Sequence, residues 1–289
     1  MLEGTGFAWP APIETCVQPI TKSGSASQTT LSNFRPKKDA VASDPEESLP
    51  GALDDVLVLV DRTVNPYLVM VHEPTSFRSE QIRSLRNKLV AMNPDGASKS
   101  LVVTSAIHGE GKTICAINLA IAFAELERMR ILLVDADLRN PSVEKYLHMN
   151  EAPGLSDVLL GRVSLDRALR QADQKNLVVL GAGSKIAGPS EVLSPQRIQE
   201  LLAGLKEQFQ YVILDTPAVL PSTDASVIAA RADGTLLVVR LEHSTKQLAR
   251  QALRNLNDLG ANVLGTFVTQ VRGLDPEADP RFAYGSGGR

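Results

Sequence analysis

The sequence has too few cysteines for a disulfide framework and no apolar run long enough to cross a membrane. Its two cysteines, Cys16 and Cys115, lie outside any CxxC or Cys/His cluster, which favours a reducing compartment. The longest apolar run, residues 119–124, has six residues, against roughly 18 for a membrane span. The opening stretch MLEGTGFAWPAPIE lacks the basic start and apolar core of a secretory signal. We therefore expect a cytoplasmic protein that reaches the inner face of a membrane only through a partner.

The chain also lacks an excess of charge of either sign. Lysine and arginine number 30, and aspartate and glutamate number 33, so the formal net charge is −3. Because no broad positive field exists, purely electrostatic binding to nucleic acid is excluded, and we expect no nucleic-acid partner. With 43% hydrophobic residues, the 289-residue chain can bury a sizeable core, and its length allows two domains or one α/β domain with extensions.

Composition divides the chain into three parts. Residues 1–50 hold six of the 17 prolines and the Ser/Thr-rich stretch KSGSASQTTLS, so this segment cannot bury enough apolar surface to offset its chain entropy. The last segment, GLDPEADPRFAYGSGGR, is rich in glycine, proline and charge. We therefore predict a disordered N-terminal arm over 1–50, a folded domain over 51–272 and a flexible tail over 273–289.

Apolar runs that alternate with helix-like segments predict an α/β fold. The runs are LVVTSA, RILLVDAD, NLVVLGAG, YVILDTPA, GTLLVVRL and NVLGTFVTQV. Near-continuous apolar segments of this length are typical of strands that are buried on both faces of a parallel sheet. We predict a doubly wound, mostly parallel sheet that is flanked by helices.

The region before these runs is predicted to hold extended segments and one helix. The Val-rich stretches DDVLVLVD and NPYLVMVHEP, bounded by Asn, Pro and Asp, are typical of extended segments. In TSFRSEQIRSLRNKLVAM, apolar residues recur at three- and four-residue spacing, which predicts a helix. Glu80, Arg83 and Arg86 form a charged row along this helix and indicate a polar face.

A glycine-rich segment between the first run and its helix, SAIHGEGKT, predicts a phosphate-binding loop. Gly109 and Gly111 would let backbone N–H groups turn inward at the helix N-terminus. Lys112 would reach the β- and γ-phosphates, and Thr113 would ligate Mg²⁺. The generic motif is only half met, because Ala106 stands where it has its first glycine. The alternative is a glycine-rich turn with a chance Lys-Thr pair.

Three aspartates follow or end buried runs and are predicted to converge on this loop. Asp135 and Asp137 close RILLVDAD, and Asp215 closes the strand in YVILDTPA. In a parallel sheet their carboxylates emerge at the same edge as the phosphate loop. Because three acids would repel a nucleotide, a cation between them is implied, and Mg²⁺ is the natural choice. A carboxylate near the γ-phosphate could instead accept a proton, and each aspartate taken singly could be a helix N-cap.

Together these segments resemble the bacterial tyrosine kinase (BY-kinase) family, P-loop NTPases of the MinD-like branch that are partners of polysaccharide chain-length regulators. The resemblance covers residues 65–271. HGEGKT resembles the family's Walker A motif, VDADLR its Walker A′ motif and ILDTPA its Walker B motif. EQIRSLR resembles the ExxRxxR helix through which these kinases form rings.

The resemblance implies an ATP- and Mg²⁺-dependent protein-tyrosine autokinase that regulates exopolysaccharide or capsule synthesis. The residues that would bind the nucleotide are His108, Gly109, Glu110, Gly111, Lys112, Thr113 and Ile114. The metal ligands would be Thr113, Asp137 and Asp215. Asp135, as activator of the tyrosine hydroxyl, Lys112 and Asp137 would be catalytic. The kinase domain would span 51–272.

The resemblance also implies partners and a phosphate acceptor. Glu80, Arg83 and Arg86 would contact a neighbouring subunit in a homo-oligomeric ring, and a membrane chain-length determinant would act as activator. Tyr284 is the one tyrosine of the tail, where the family has a cluster, and is the candidate acceptor. Its alternative is an ordinary tail residue.

Departures from the family pattern keep two other functions open. His108 and Ala218 stand where the family has proline, and Thr269 stands where related ATPases have an adenine-contacting asparagine. A MinD/ParA-like switch ATPase is one alternative, although Ile107 replaces the extra lysine of those proteins. A non-catalytic, nucleotide-binding regulatory subunit of a polysaccharide export complex is the other.

Overall fold

The computed structural model describes residues 65–270, which contain ten helices and seven strands. The predicted arm (1–50), the predicted tail (273–289) and the extended stretch at 54–61 lie outside this range. The strands are β1 Lys99–Ser105, β2 Ile131–Asp135, β3 Leu169–Gln171, β4 Leu177–Leu180, β5 Tyr211–Asp215, β6 Gly234–Arg240 and β7 Val263–Thr269. The helices are α1 Val69–His72, α2 Phe77–Ala91, α3 Lys112–Ala124, α4 Val143–Tyr146, α5 Leu155–Leu159, α6 Leu165–Ala168, α7 Pro189–Val192, α8 Pro195–Gln208, α9 Asp224–Ala229 and α10 Lys246–Asp258.

The seven strands form one sheet in the order β3-β4-β2-β5-β1-β6-β7. Every neighbouring pair is parallel except β3 and β4, so the predicted doubly wound, mostly parallel sheet is confirmed. Each of the six apolar runs contains one strand. The edge strand β3 was not predicted, because three residues are too short to give an alternation signal.

Helices cover both faces of the sheet and divide the core into two layers. On one face, α1, α2 and α3 pack against a cluster that contains Phe123, whose ring lies 4.3 Å from that of Tyr211. On the other face, α8, α9 and α10 bury a second cluster around Phe209. Helix α3 is mostly apolar beyond its first turn, and the sheet and α2 bury it. Each large side chain buried in these layers contributes about 1.5–3 kcal/mol.

The segment before the first strand is partly helical, which corrects the prediction of an extended stretch at NPYLVMVHEP. Residues 69–72 form α1, and the side chain of Asn118 in α3 holds its start. The Asn118 amide donates to the carbonyl oxygen of Tyr67, and its Oδ1 accepts from the backbone N–H of Met70. This tertiary contact overrides the β-propensity of the valines. The predicted second helix is confirmed as α2, with Ser76 as its N-cap.

The strand order reverses at β1, which lies between β5 and β6. In an open parallel sheet, the crevice at such a switch point, beyond the carboxyl ends of the strands, is where ligands bind. Asp135 at the end of β2 is the direct register partner of Asp215 at the end of β5. The fold therefore brings both strand-end aspartates to the edge where β1 enters the glycine-rich loop. No helix within residues 65–270 is long and apolar enough to cross a bilayer.

Candidate functional site

The glycine-rich loop joins β1 to α3 in a conformation that only glycine adopts easily. Gly109 and Gly111 have φ values of +82° and +93°, in the left-handed region. Helix α3 begins at Lys112, directly after Gly111, so its first free N–H groups face the carboxyl edge of the sheet. A loop of this kind at a helix N-terminus favours bound phosphate, which supports the Walker A assignment of residues 108–113.

Two side chains of this loop contact the predicted acids directly. The Thr113 hydroxyl donates a 2.6 Å hydrogen bond to Oδ2 of Asp215. The Lys112 ammonium lies 3.0 Å from Oδ2 of Asp137, an ion pair in which Asp137 is fully buried. Asp135 is also fully buried and accepts hydrogen bonds from the backbone N–H groups that begin α4. The structure thus brings together all five residues that the sequence placed at this edge.

The donor set fits a hard divalent cation that also binds phosphate. Oδ1 of Asp215 is buried and has no hydrogen-bond partner within the described residues, so it is available as a ligand. Among residues 65–270, no group of three His, Cys or acidic side chains could hold a metal by itself. Mg²⁺ usually takes one or two carboxylates and completes its shell with phosphate oxygens and water. Thr113, Asp137 and Asp215 are the residues that would hold or orient it.

Burial and mutual repulsion give the acids unusual proton affinities. Burial, together with the charge of Asp215, raises the pKa of Asp135 to about 8, although backbone N–H groups oppose that shift. Burial raises the pKa of Asp215 to about 6, against the effect of Lys112. Burial disfavours the charge of Lys112, but Asp215 and Asp137 outweigh it and raise the pKa of the ammonium. Lys112 is therefore charged at neutral pH, as phosphate binding requires.

The charged row on α2 has partners within its own chain. Arg83 donates to Glu125, the C-cap residue of α3, to the carbonyl oxygen of Pro74 and to Glu80. Arg86 is 8% exposed and donates to the carbonyl oxygen of Ala122 and to Glu125. The Glu80 side chain is 61% exposed. Only part of the row is therefore a solvated face, and its role between subunits stays a prediction.

Sequence reasoning missed two residues that organise the site and α2. The backbone N–H of Ser142 donates to Asp135, and its hydroxyl lies 3.2 Å from that of Thr113. Glu125, the C-cap of α3, accepts from both arginines of the α2 row. Neither residue lies in a recognised motif, although Ser142 follows VDADLR closely enough to have been considered.

The sheet topology, the loop and the strand-end acids define a P-loop nucleotide-binding protein. A family model described as an AAA domain matches residues 98–264. The tyrosine-protein kinase YwqD of Bacillus subtilis is 35% identical over 201 residues, which are 70% of this chain and 84% of that protein. The chain belongs to the bacterial tyrosine-protein kinase (BY-kinase) family, as the motifs predicted.

Other relatives extend this comparison. The tyrosine-protein kinase Wzc of Salmonella typhimurium is 29% identical over 232 residues, which are 80% of this chain but only 32% of that longer protein. The solved kinase domain of the Escherichia coli tyrosine kinase ETK is 28% identical with a TM-score of 0.67, over 71% of this chain and 80% of that one. The septum site-determining protein MinD of Pyrococcus horikoshii shares the fold alone, at 24% identity and a TM-score of 0.52 over 59% of this chain and 70% of its own.

Proposed function

We propose that this chain is an ATP- and Mg²⁺-dependent protein-tyrosine autokinase that serves exopolysaccharide or capsule synthesis or export. The observation that carries the proposal is the meeting of a charged lysine, a threonine hydroxyl and three buried carboxylates at one sheet edge. Membership of the tyrosine-protein kinase family supports tyrosine as the acceptor. The solved MinD relative is complexed with Mg-ADP, which agrees with the proposed cofactors at the level of the fold.

The side chains of the site would act mainly by positioning and charge neutralisation, because phosphoryl transfer needs little covalent chemistry from the protein. When bound, Mg²⁺ supplies positive charge between the carboxylates and the triphosphate. Lys112 would exchange its ion pair with Asp137 for the β- and γ-phosphate oxygens. Asp135 would accept the proton of the attacking tyrosine hydroxyl, as a carboxylate near the γ-phosphate can.

We propose that copies of the chain assemble into a ring in which one copy phosphorylates the next. The exposed carboxylate of Glu80 on α2 supports a contact with a neighbouring copy, together with the outer surface of Arg83. Arg86 would not touch the neighbouring copy but would hold α2 in place, because it is buried against α3. A membrane chain-length determinant would recruit the ring to the cytoplasmic face of the membrane and activate it.

The proposed acceptor is Tyr284, which lies outside the described residues. Of the three tyrosines within residues 65–270, Tyr211 is buried, Tyr146 is partly buried and Tyr67 is 61% exposed. Tyr67 is therefore the matched control for an exposed tyrosine that is not the acceptor. Replacing Tyr284 by phenylalanine should remove most phosphotyrosine, whereas Tyr67→Phe should leave it unchanged.

The direct test of the proposal is phosphotyrosine formation on the purified chain with Mg·ATP. Lys112→Ala should abolish it, because the phosphates lose their buried cation, while the exposed lysine variant Lys175→Ala should behave as wild type. Undiminished phosphotyrosine in Lys112→Ala would contradict the proposal. ATP hydrolysis without phosphotyrosine would identify a MinD/ParA-like switch, and ATP binding with neither reaction would identify a non-catalytic regulatory subunit.

A further inference from the structure

The phosphate loop is attached to a second loop, residues 240–244, which connects β6 to α10. The carbonyl oxygen of His108 accepts from Nε2 of His243 at 3.0 Å. The carbonyl oxygen of Gly109 accepts from the Arg240 guanidinium at 3.2 Å. Two successive carbonyls of the phosphate loop therefore point toward the 240–244 loop.

The next residue, Glu110, is bonded through both its backbone and its side chain. Its carbonyl oxygen accepts from the hydroxyl of Thr269 at 3.0 Å. Its carboxylate is fully buried and accepts from the backbone N–H of Ile107 at 2.8 Å and from the Ser244 hydroxyl. The backbone N–H of Arg240 lies 3.4 Å from the same carboxylate. Glu110 thus closes the phosphate loop on itself and joins it to the 240–244 loop.

These bonds have a consequence for phosphate binding, because the N–H and C=O groups of a peptide unit point in opposite directions. The carbonyls of His108, Gly109 and Glu110 point toward the 240–244 loop and Thr269. The N–H groups of the residues that follow them therefore point the opposite way, into the phosphate loop. That is the arrangement an anion needs. Loops that must order on binding lose affinity, whereas a loop held in this form does not.

We propose that Glu110, held by Ser244, is a positioning residue that fixes the phosphate loop in its anion-binding form through the 240–244 loop. The proposal rests on the nucleotide-binding part of the proposed function. A carboxylate that merely lay near the nucleotide would repel the phosphates, so its removal would tighten binding. A carboxylate that orders the loop acts in the opposite direction, and its removal weakens binding. The two roles therefore predict effects of opposite sign.

The test is calorimetric titration of the full chain with Mg·ADP, which needs no phosphoryl transfer. We expect Glu110→Ala to raise Kd about tenfold, since buried N–H and hydroxyl donors lose their acceptor. Glu110→Gln keeps an oxygen for Ile107 but turns its amide N–H₂ group toward the backbone N–H of Arg240, so its Kd should lie between those of wild type and Glu110→Ala. The exposed glutamate variant Glu207→Ala is the matched control and should not change Kd.

A double-mutant cycle shows whether Ser244 affects Mg·ADP binding through Glu110 or independently of it. Ser244→Ala should raise Kd about threefold alone and add nothing to Glu110→Ala. Tighter or unchanged binding by Glu110→Ala, additive effects in the double variant, or a lower melting temperature with unchanged Kd would each overturn the proposal. If Glu110→Ala does not fold, unchanged Kd in both Ser244→Ala and His243→Ala would overturn it. Failure of wild type to bind Mg·ADP would instead refute the nucleotide site of the proposed function.

Discussion

At the scale of single residues, the buried aspartates make the nucleotide-free site sensitive to pH. Asp135 and Asp215 have pKa values of about 8 and about 6, raised chiefly by burial, against an ordinary value of 3.8. Between pH 5.5 and 8 the folded chain therefore binds more protons at these residues than the unfolded chain does. Under that condition the free energy of unfolding falls as pH rises.

Other carboxylates do not offset this effect in the same range. Hydrogen bonds and ion pairs outweigh burial and lower the pKa of four groups, which are Glu125, Asp157, Asp224 and Asp233. Groups with lowered pKa values stabilise the fold above their unfolded pKa, and that contribution is lost only in more acid solution. They are ionised in both states above pH 5.5, so they add no slope there.

We predict that the melting temperature without Mg²⁺ and nucleotide falls between pH 5.5 and pH 8. Asp135→Asn should reduce the slope, because its amide does not titrate, whereas the exposed variant Asp166→Asn should keep it. Differential scanning calorimetry in buffers of equal ionic strength measures both slopes. A melting temperature that is flat or rises over this range, or an Asp135→Asn slope equal to that of wild type, would contradict the assignment.

The site residues that could be predicted from the sequence are those next to the predicted glycine-rich loop or at the ends of predicted strands. Lys112 and Thr113 follow the loop glycines directly, and Asp135 and Asp215 end their strands, so the fold class alone places them together. Ser244 lies 134 positions from its partner Glu110. No local sequence pattern predicts such a contact, because it depends on where the connection between β6 and α10 lies in the folded chain.

At the scale of elements, α2 combines a buried and an exposed role in one charged row. Arg86 is bonded to the last turn of α3, while Glu80 faces solvent. The sequence predicted the helix correctly but did not indicate that Arg86 is buried, because arginine is seldom buried in proteins. At α1 the prediction itself was wrong. The valines there suggested extended structure, but contacts with Asn118 hold the segment as a helical turn.

The two ends of the α2 row should separate stability from assembly. Arg86→Ala should lower the free energy of unfolding by about 2 kcal/mol, because it leaves Glu125 and a buried carbonyl without a donor. Glu80→Ala should change it by less than about 0.5 kcal/mol but reduce self-association. Urea unfolding and sedimentation velocity measure the two properties. Equal destabilisation by both variants with unchanged assembly would contradict the proposed contact between copies.

At the scale of the whole molecule, the sheet order explains why motifs from distant segments form one site. Strands β2, β5 and β1 are neighbours in the sheet although they are far apart in sequence, and their carboxyl ends lie at one edge. The sequence predicted this architecture because strands buried on both faces leave long apolar runs. It could not predict strand β3, which is too short to give a pattern. Nor could it predict the contacts of the 240–244 loop or the ion pairs between α2 and Glu125, because these are tertiary.

The central claim, phosphoryl transfer from ATP to a tyrosine of another copy, is tested most directly by mixing two variants. Lys112→Ala retains the acceptor but lacks the phosphate-binding lysine, and Tyr284→Phe retains the site but lacks the acceptor. After incubation with Mg·ATP, mass spectrometry should find phosphate on Tyr284 of the Lys112→Ala chain, and none when that chain is incubated alone. Phosphotyrosine on wild type but not on the Lys112→Ala chain of the mixture, or no phosphotyrosine in either, would contradict this claim.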